Sequence, residues 1–117
     1  LVLFAFVGLA FAKNMDVFLE NADRIVALVI GQNALALALG ALAGMLVGLT
    51  RADRRAVTME VGIQNSGLGL AILFTFFPQA AGMILIAGFW VVWHLVSGLI
   101  LALIWSRSAE PVNKEVA

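Results

Sequence analysis

The sequence contains no cysteine, which excludes disulfides and thiolate metal sites. Charge is scarce as well. Only 12% of the 117 residues are charged and 63% are hydrophobic, whereas a soluble domain is about a quarter charged and about half apolar. The formal net charge is zero, and no basic stripe points to a nucleic acid partner. No nucleophile–base pair or metal-ligand cluster suggests an enzyme. What charge there is avoids two long runs. Residues 25–50 carry none, and residues 56–106 carry one carboxylate, Glu60, and one histidine, His94. The mean hydropathy is +1.07. A bilayer core takes roughly 20 apolar residues per helix. The first run therefore holds one span, and the second holds two if the chain turns at Pro78-Gln79. This is the pattern of an all-α, polytopic membrane bundle whose first partner is lipid.

Four hydrophobic elements follow: 1–12, 22–50, 52–77 and 79–106. Residue 1 is Leu, and the first element reads as the end of a further membrane helix in a piece of a longer protein. The alternative, a signal-peptide core cleaved after Ala10-Phe11-Ala12, lacks the positively charged segment it requires. Asn21-Ala22-Asp23 offers a side-chain oxygen to cap the second element, and Pro78 suits the start of the fourth. Gly40, Gly44 and Gly48 lay a bare stripe along the second element, where another helix can approach closely. Of the seven basic residues, Arg51, Arg54, Arg55, Arg107 and Lys114 fall on one side, which the positive-inside rule assigns to the cytoplasm. The expected topology is an extracytoplasmic loop over 13–21, a cytoplasmic loop over 51–55 and a cytoplasmic tail over 107–117. Trp105 is placed to anchor at the inner surface.

The segment Thr58-Met59-Glu60-Val61-Gly62-Ile63-Gln64-Asn65-Ser66-Gly67-Leu68-Gly69 does not suit a lipid-facing helix. Each glycine lowers helix propensity by about 1 kcal/mol relative to alanine, and unpartnered polar groups in hydrocarbon cost several times that. Both penalties vanish if the helix unwinds beside a wet or ion-filled cavity, the one place where irregular backbone is tolerated at membrane depth. Unwinding near 62–67 frees carbonyl oxygens from Glu60 to Asn65. Glu60 adds a carboxylate and Gln64 an amide oxygen, a set that suits a hard cation. The second half-helix would begin near 66–68 and turn N–H groups toward an anion. The plainer alternatives are that Glu60, ~7.5 Å of helix rise beyond Arg55, reaches the interface or an arginine, and that Gln64, Asn65 and Ser66 bond neighbouring helices. His94 has the same two readings: a contact to substrate, or a bond to a neighbouring helix. For Gln32-Asn33, glue between helices is the default.

The run Met59-Glu60-Val61-Gly62-Ile63-Gln64-Asn65-Ser66-Gly67-Leu68 closely resembles the signature of the bile acid:sodium symporter family, and Trp93-His94 with Ser97-Gly98 follows at the expected distance. The resemblance implies two inverted five-helix repeats with one broken crossing helix each, and makes this chain the last four helices, with 52–77 as the second crossing helix. It implies that Glu60, the backbone oxygens of Val61 and Ile63, and the Gln64 side chain bind the coupling ion, Na+. It also implies that Asn65 and His94 face the substrate cavity and that an N-terminal repeat supplies the rest. Two positions depart from the family pattern: Gln32, where a histidine is common, and Leu95, where a polar residue is common. They favour an organic anion smaller than a bile acid, such as a keto acid or a pantoate-like molecule. The expected function is sodium-coupled symport of an organic anion, bile-acid-like or a smaller carboxylate, at the cell (inner) membrane. Proton coupling through Glu60, and a non-transporting scaffold, are the alternatives.

Overall fold

The computed structural model describes residues 1–108; of the tail expected over 107–117, residues 109–117 lie outside the described residues. The described chain is helical and contains no strand. Its helices are α1 (Val2–Lys13), α2 (Met15–Leu46), α3 (Arg51–Gly62), α4 (Ser66–Phe76) and α5 (Ala81–Arg107). Three segments are long and apolar enough to cross a bilayer: Met15–Leu46, Arg51–Phe76 (α3 with α4) and Ala81–Arg107. This is a multi-pass helical membrane architecture.

Burial runs opposite to that of a soluble bundle. Leu28, Leu35, Leu39, Leu99 and Leu103 lie exposed on the outside, while Asn33, Thr58, His94 and Ser97 are buried. In lipid, helices gain little by hiding leucine and associate instead through small residues and polar contacts. One packing unit is apolar: Val7 and Ala10 of α1, Leu70 of α4, and Ile84 and Val91 of α5 form a core. The other is built on small residues. At Gly40 of α2 an added Cβ would meet the Thr58 backbone at 3.1 Å and Val61 at 3.0 Å, and at Gly44 it would meet Arg54 at 3.0 Å. The bare stripe of α2 is thus the seat of α3. Gly48 is not part of it, because α2 ends at Leu46 and Gly48 adopts φ 75° in the turn that follows. There the Leu49 N–H donates to the Gly44 carbonyl, closing the helix in a left-handed cap that glycine enters without steric penalty.

The segment 13–21, expected as a loop, is largely helical. The chain departs from helical angles at Asn14 and Asn21. Each asparagine donates its side-chain amide to the carbonyl four residues back, Asn14 to Ala10 at 2.9 Å and Asn21 to Val17 at 3.0 Å. Asn21 therefore closes the preceding turn and does not cap the following one. At the other turn, Pro78 precedes α5 and is not in its first turn: Ala80 N–H bonds the Phe77 carbonyl at 3.0 Å, which puts Pro78 at the second turn position its fixed φ favours. Thr50 caps α3, accepting from Asp53 N–H at 3.2 Å. Arg55, at the start of α3, stacks 5.2 Å from the Trp105 ring near the end of α5. The basic residues of 51–55, expected in a loop, lie in the first turns of α3 and share one end of the bundle with the C-terminal end of α5.

Candidate functional site

The polar, glycine-bearing segment leaves regular helix where its composition demands. Ile63 is extended (φ −106°, ψ 92°), Asn65 has φ −77° and ψ 68°, and helix resumes at Ser66. A helix end leaves its last carbonyls without donors, and side chains take over two of them here. Asn33 of α2 donates to the Gly62 carbonyl at 2.9 Å. Gln64 donates to the Val61 carbonyl at 3.4 Å, a long and easily exchanged bond.

On the far side of the break, Asn65 caps α4, its Oδ1 accepting from Leu68 N–H at 3.2 Å. Ser66 N–H donates to the Gln64 carbonyl at 2.8 Å. The expectation that residues 66–68 turn free N–H groups toward an anion is thus modified. The Ser66 and Leu68 amides are already engaged, and an anion would take the second by displacing the Asn65 oxygen.

Packing holds the break from two sides. An added Cβ at Gly62 would lie 2.7 Å from Leu37 Cγ of α2, and one at Gly98 of α5 would lie 2.7 Å from Ile63 Cδ1. Ser66 Oγ and His94 Nδ1 lie 3.1 Å apart, joining the start of α4 to α5. The halves of the broken helix thereby acquire different partners, α3 lying against α2 and α4 against α5.

A recess of about 590 Å³ opens beside the break. Gln32, Gln64, Asn65 and Ser66 form its polar side, and Leu73, Met83, Ile86 and Trp90 line its apolar side. Of the residues expected at a site, Gln64 and Asn65 line this recess, and both are exposed. Glu60 is exposed on the last turn of α3, with Val61 and Ile63 half-buried beside it. His94 is buried and is not among the lining residues; it sits behind Ser66 and bonds it. Gln32 reaches the recess while its neighbour Asn33 turns into the bundle, so the pair divides between the two roles. The adjacent Trp93 indole N–H is buried without a hydrogen-bond partner among the described residues, and nothing in the structure explains it.

Chemically, the break offers a carboxylate, loosely engaged or free carbonyls and amide oxygens within a few residues, a donor set that fits a hard cation. Beside it lies a recess with amide and hydroxyl donors at one end and apolar walls at the other. The chain is 31% identical over 106 residues to a Bacillus subtilis (strain 168) protein described as an uncharacterized sodium-dependent transporter, YocS. The similarity covers 91% of this chain and 32% of that protein, so the chain spans about a third of the length of the curated relative it matches. No family model matches the chain, and no solved structure does.

Proposed function

We propose that this chain is part of a sodium-coupled secondary transporter for a small organic anion, of the bile acid:sodium symporter type. The observation that carries the reading is the interruption of a membrane-spanning segment at residues 63–65, directly beside the one carboxylate of the apolar runs, Glu60. A transmembrane carboxylate at a backbone break is the expected setting for a coupling ion. The sodium dependence named in the description of the Bacillus relative supports it.

In this reading Glu60, the carbonyls of Val61 and Ile63, and the Gln64 side chain hold Na+. Gln64 gives up its bond to Val61 and turns its oxygen to the ion. Because Glu60 faces outward from the described bundle, the remaining oxygen ligands come from an N-terminal repeat of the same protein. The anion enters the recess. Asn65, whose oxygen caps α4, keeps its amide N–H₂ for the anion. His94 acts on the recess through Ser66. Ion binding orders the break and so favours the anion, and the anion must tighten sodium binding by the same factor. The basic end carrying Arg51, Arg54 and Arg55 faces the cytoplasm and takes the C-terminus with it, at the cell membrane.

The test is uptake by the complete transporter in proteoliposomes. Glu60→Ala and Gln64→Ala abolish sodium-driven uptake while the protein still reaches the membrane. Undiminished sodium coupling in both variants removes the site, and uptake driven by a pH gradient in sodium-free buffer makes Glu60 a proton carrier instead. The 117-residue chain by itself transports nothing.

A further inference from the structure

Asn33 is the most completely enclosed of the buried polar side chains among the described residues, at 1% exposure. The others named with it behave differently. The Thr58 hydroxyl bonds the Arg54 carbonyl and the Ser97 hydroxyl bonds the His94 carbonyl, each within its own helix. His94 joins a side chain. Asn33 alone of these reaches across to another helix's backbone, donating to Gly62, the last residue of α3. One turn further along the same face of α2, Leu37 fills the space that a Cβ on Gly62 would need. α2 therefore grips the Gly62 unit by its carbonyl and by its bare Cα. Because the peptide is planar, fixing the Gly62 carbonyl fixes the plane through which the chain enters extended Ile63.

We propose that Asn33 is a positioning residue for the cation site: it removes the Gly62 carbonyl from the set of available ligands and locks the break so that the flanking Val61 and Ile63 carbonyls stay open to the ion. The proposal rests on the sodium reading above. Asn33 touches neither ion nor anion; it acts through the peptide between Gly62 and Ile63. An apolar residue of the same size would pack into the site but leave a buried carbonyl unpaired, and the break would loosen as that carbonyl turned to find other donors.

The experiment uses Asn33→Leu in the complete transporter, with two readouts. The sodium concentration for half-maximal uptake rises about tenfold, the size expected when one buried bond is lost, while the KM for the anion at saturating sodium stays within about twofold of wild type. In the same protein without substrate, amide exchange at residues 63–66 becomes faster, and added sodium restores protection only at correspondingly higher concentration. Should Asn33→Leu fail to reach the membrane, Asn33→Ser, which keeps a donor on a shorter arm, is read in its place and shifts the sodium requirement in the same direction by less. A sodium requirement equal to wild type in the variant read overturns the proposal alone. Equal loss of sodium and anion affinity also overturns it, because a merely structural role moves both. Wild-type uptake indifferent to sodium overturns the parent reading and this proposal together.

Discussion

Two spans of nearly equal length meet the same problem and solve it differently. α5 covers 27 residues without interruption, whereas Arg51–Phe76 covers 26 and breaks near its middle. Both contain polar groups and glycines. In α5 these are spread so that Gly88, His94, Ser97 and Gly98 fall on one buried face, and the Ser97 hydroxyl satisfies itself on a carbonyl of its own helix. In the other span Gln64, Asn65 and Ser66 are consecutive. On a regular helix they would point about 100° apart and at least one would face lipid unpaired. Leaving the helix lets Gln64 and Asn65 replace lost backbone bonds and lets Ser66 reach His94. Spacing, rather than polar content, decides whether a membrane helix absorbs its polar residues or opens around them.

The sharpest way to break that contrast is to give the second span the character of the first. The triple substitution Gln64→Leu, Asn65→Ala, Ser66→Leu should yield a continuous helix, with amide exchange at residues 63–66 slowed to the level of mid-α5 and sodium-driven uptake lost. Persistence of fast exchange would mean that Gly62 and its neighbours, not the polar run, cause the break. A smaller effect is expected from Gly62→Ala. Its Cβ would collide with Leu37, and overpacking of this kind costs about 1–3 kcal/mol. Unfolding in mixed micelles should report that loss, and adding Leu37→Ala should recover part of it. The smallest is Ser66→Ala, which removes the bond to His94 and should cost about 1 kcal/mol. The double variant with His94→Ala should then fall short of the sum of the two single losses, as contacting pairs do.

The break was the most legible feature of the sequence because its causes are local: a glycine, then three adjacent polar side chains at membrane depth. What holds it was hidden. The donor to Gly62 lies 29 residues away on α2, and nothing near Gln32-Asn33 distinguishes the residue that lines the recess from the one that grips the backbone. Gly40, Gly44 and Gly48 share one spacing, yet the first two seat α3 and the third caps α2; spacing does not reveal where the helix stops. Charges at Lys13, Asp16, Glu20 and Asp23 resemble a loop, but all four are exposed, and the helix persists beneath them except at the two asparagines. Apolar exposure was readable throughout, since long uncharged runs have no other stable setting. The role of His94 depended on a contact between α4 and α5 that no linear motif encodes, and the structure gives it to Ser66; Asn65 lines the recess and also caps α4 through a local bond.

The most direct measurement is equilibrium binding of radioactive sodium to the purified complete transporter, without substrate, in wild type and in Glu60→Ala and Gln64→Ala. Saturable binding in wild type that falls sharply in both variants is the predicted result. Saturable binding that neither substitution weakens would contradict the claim that the broken helix holds the ion.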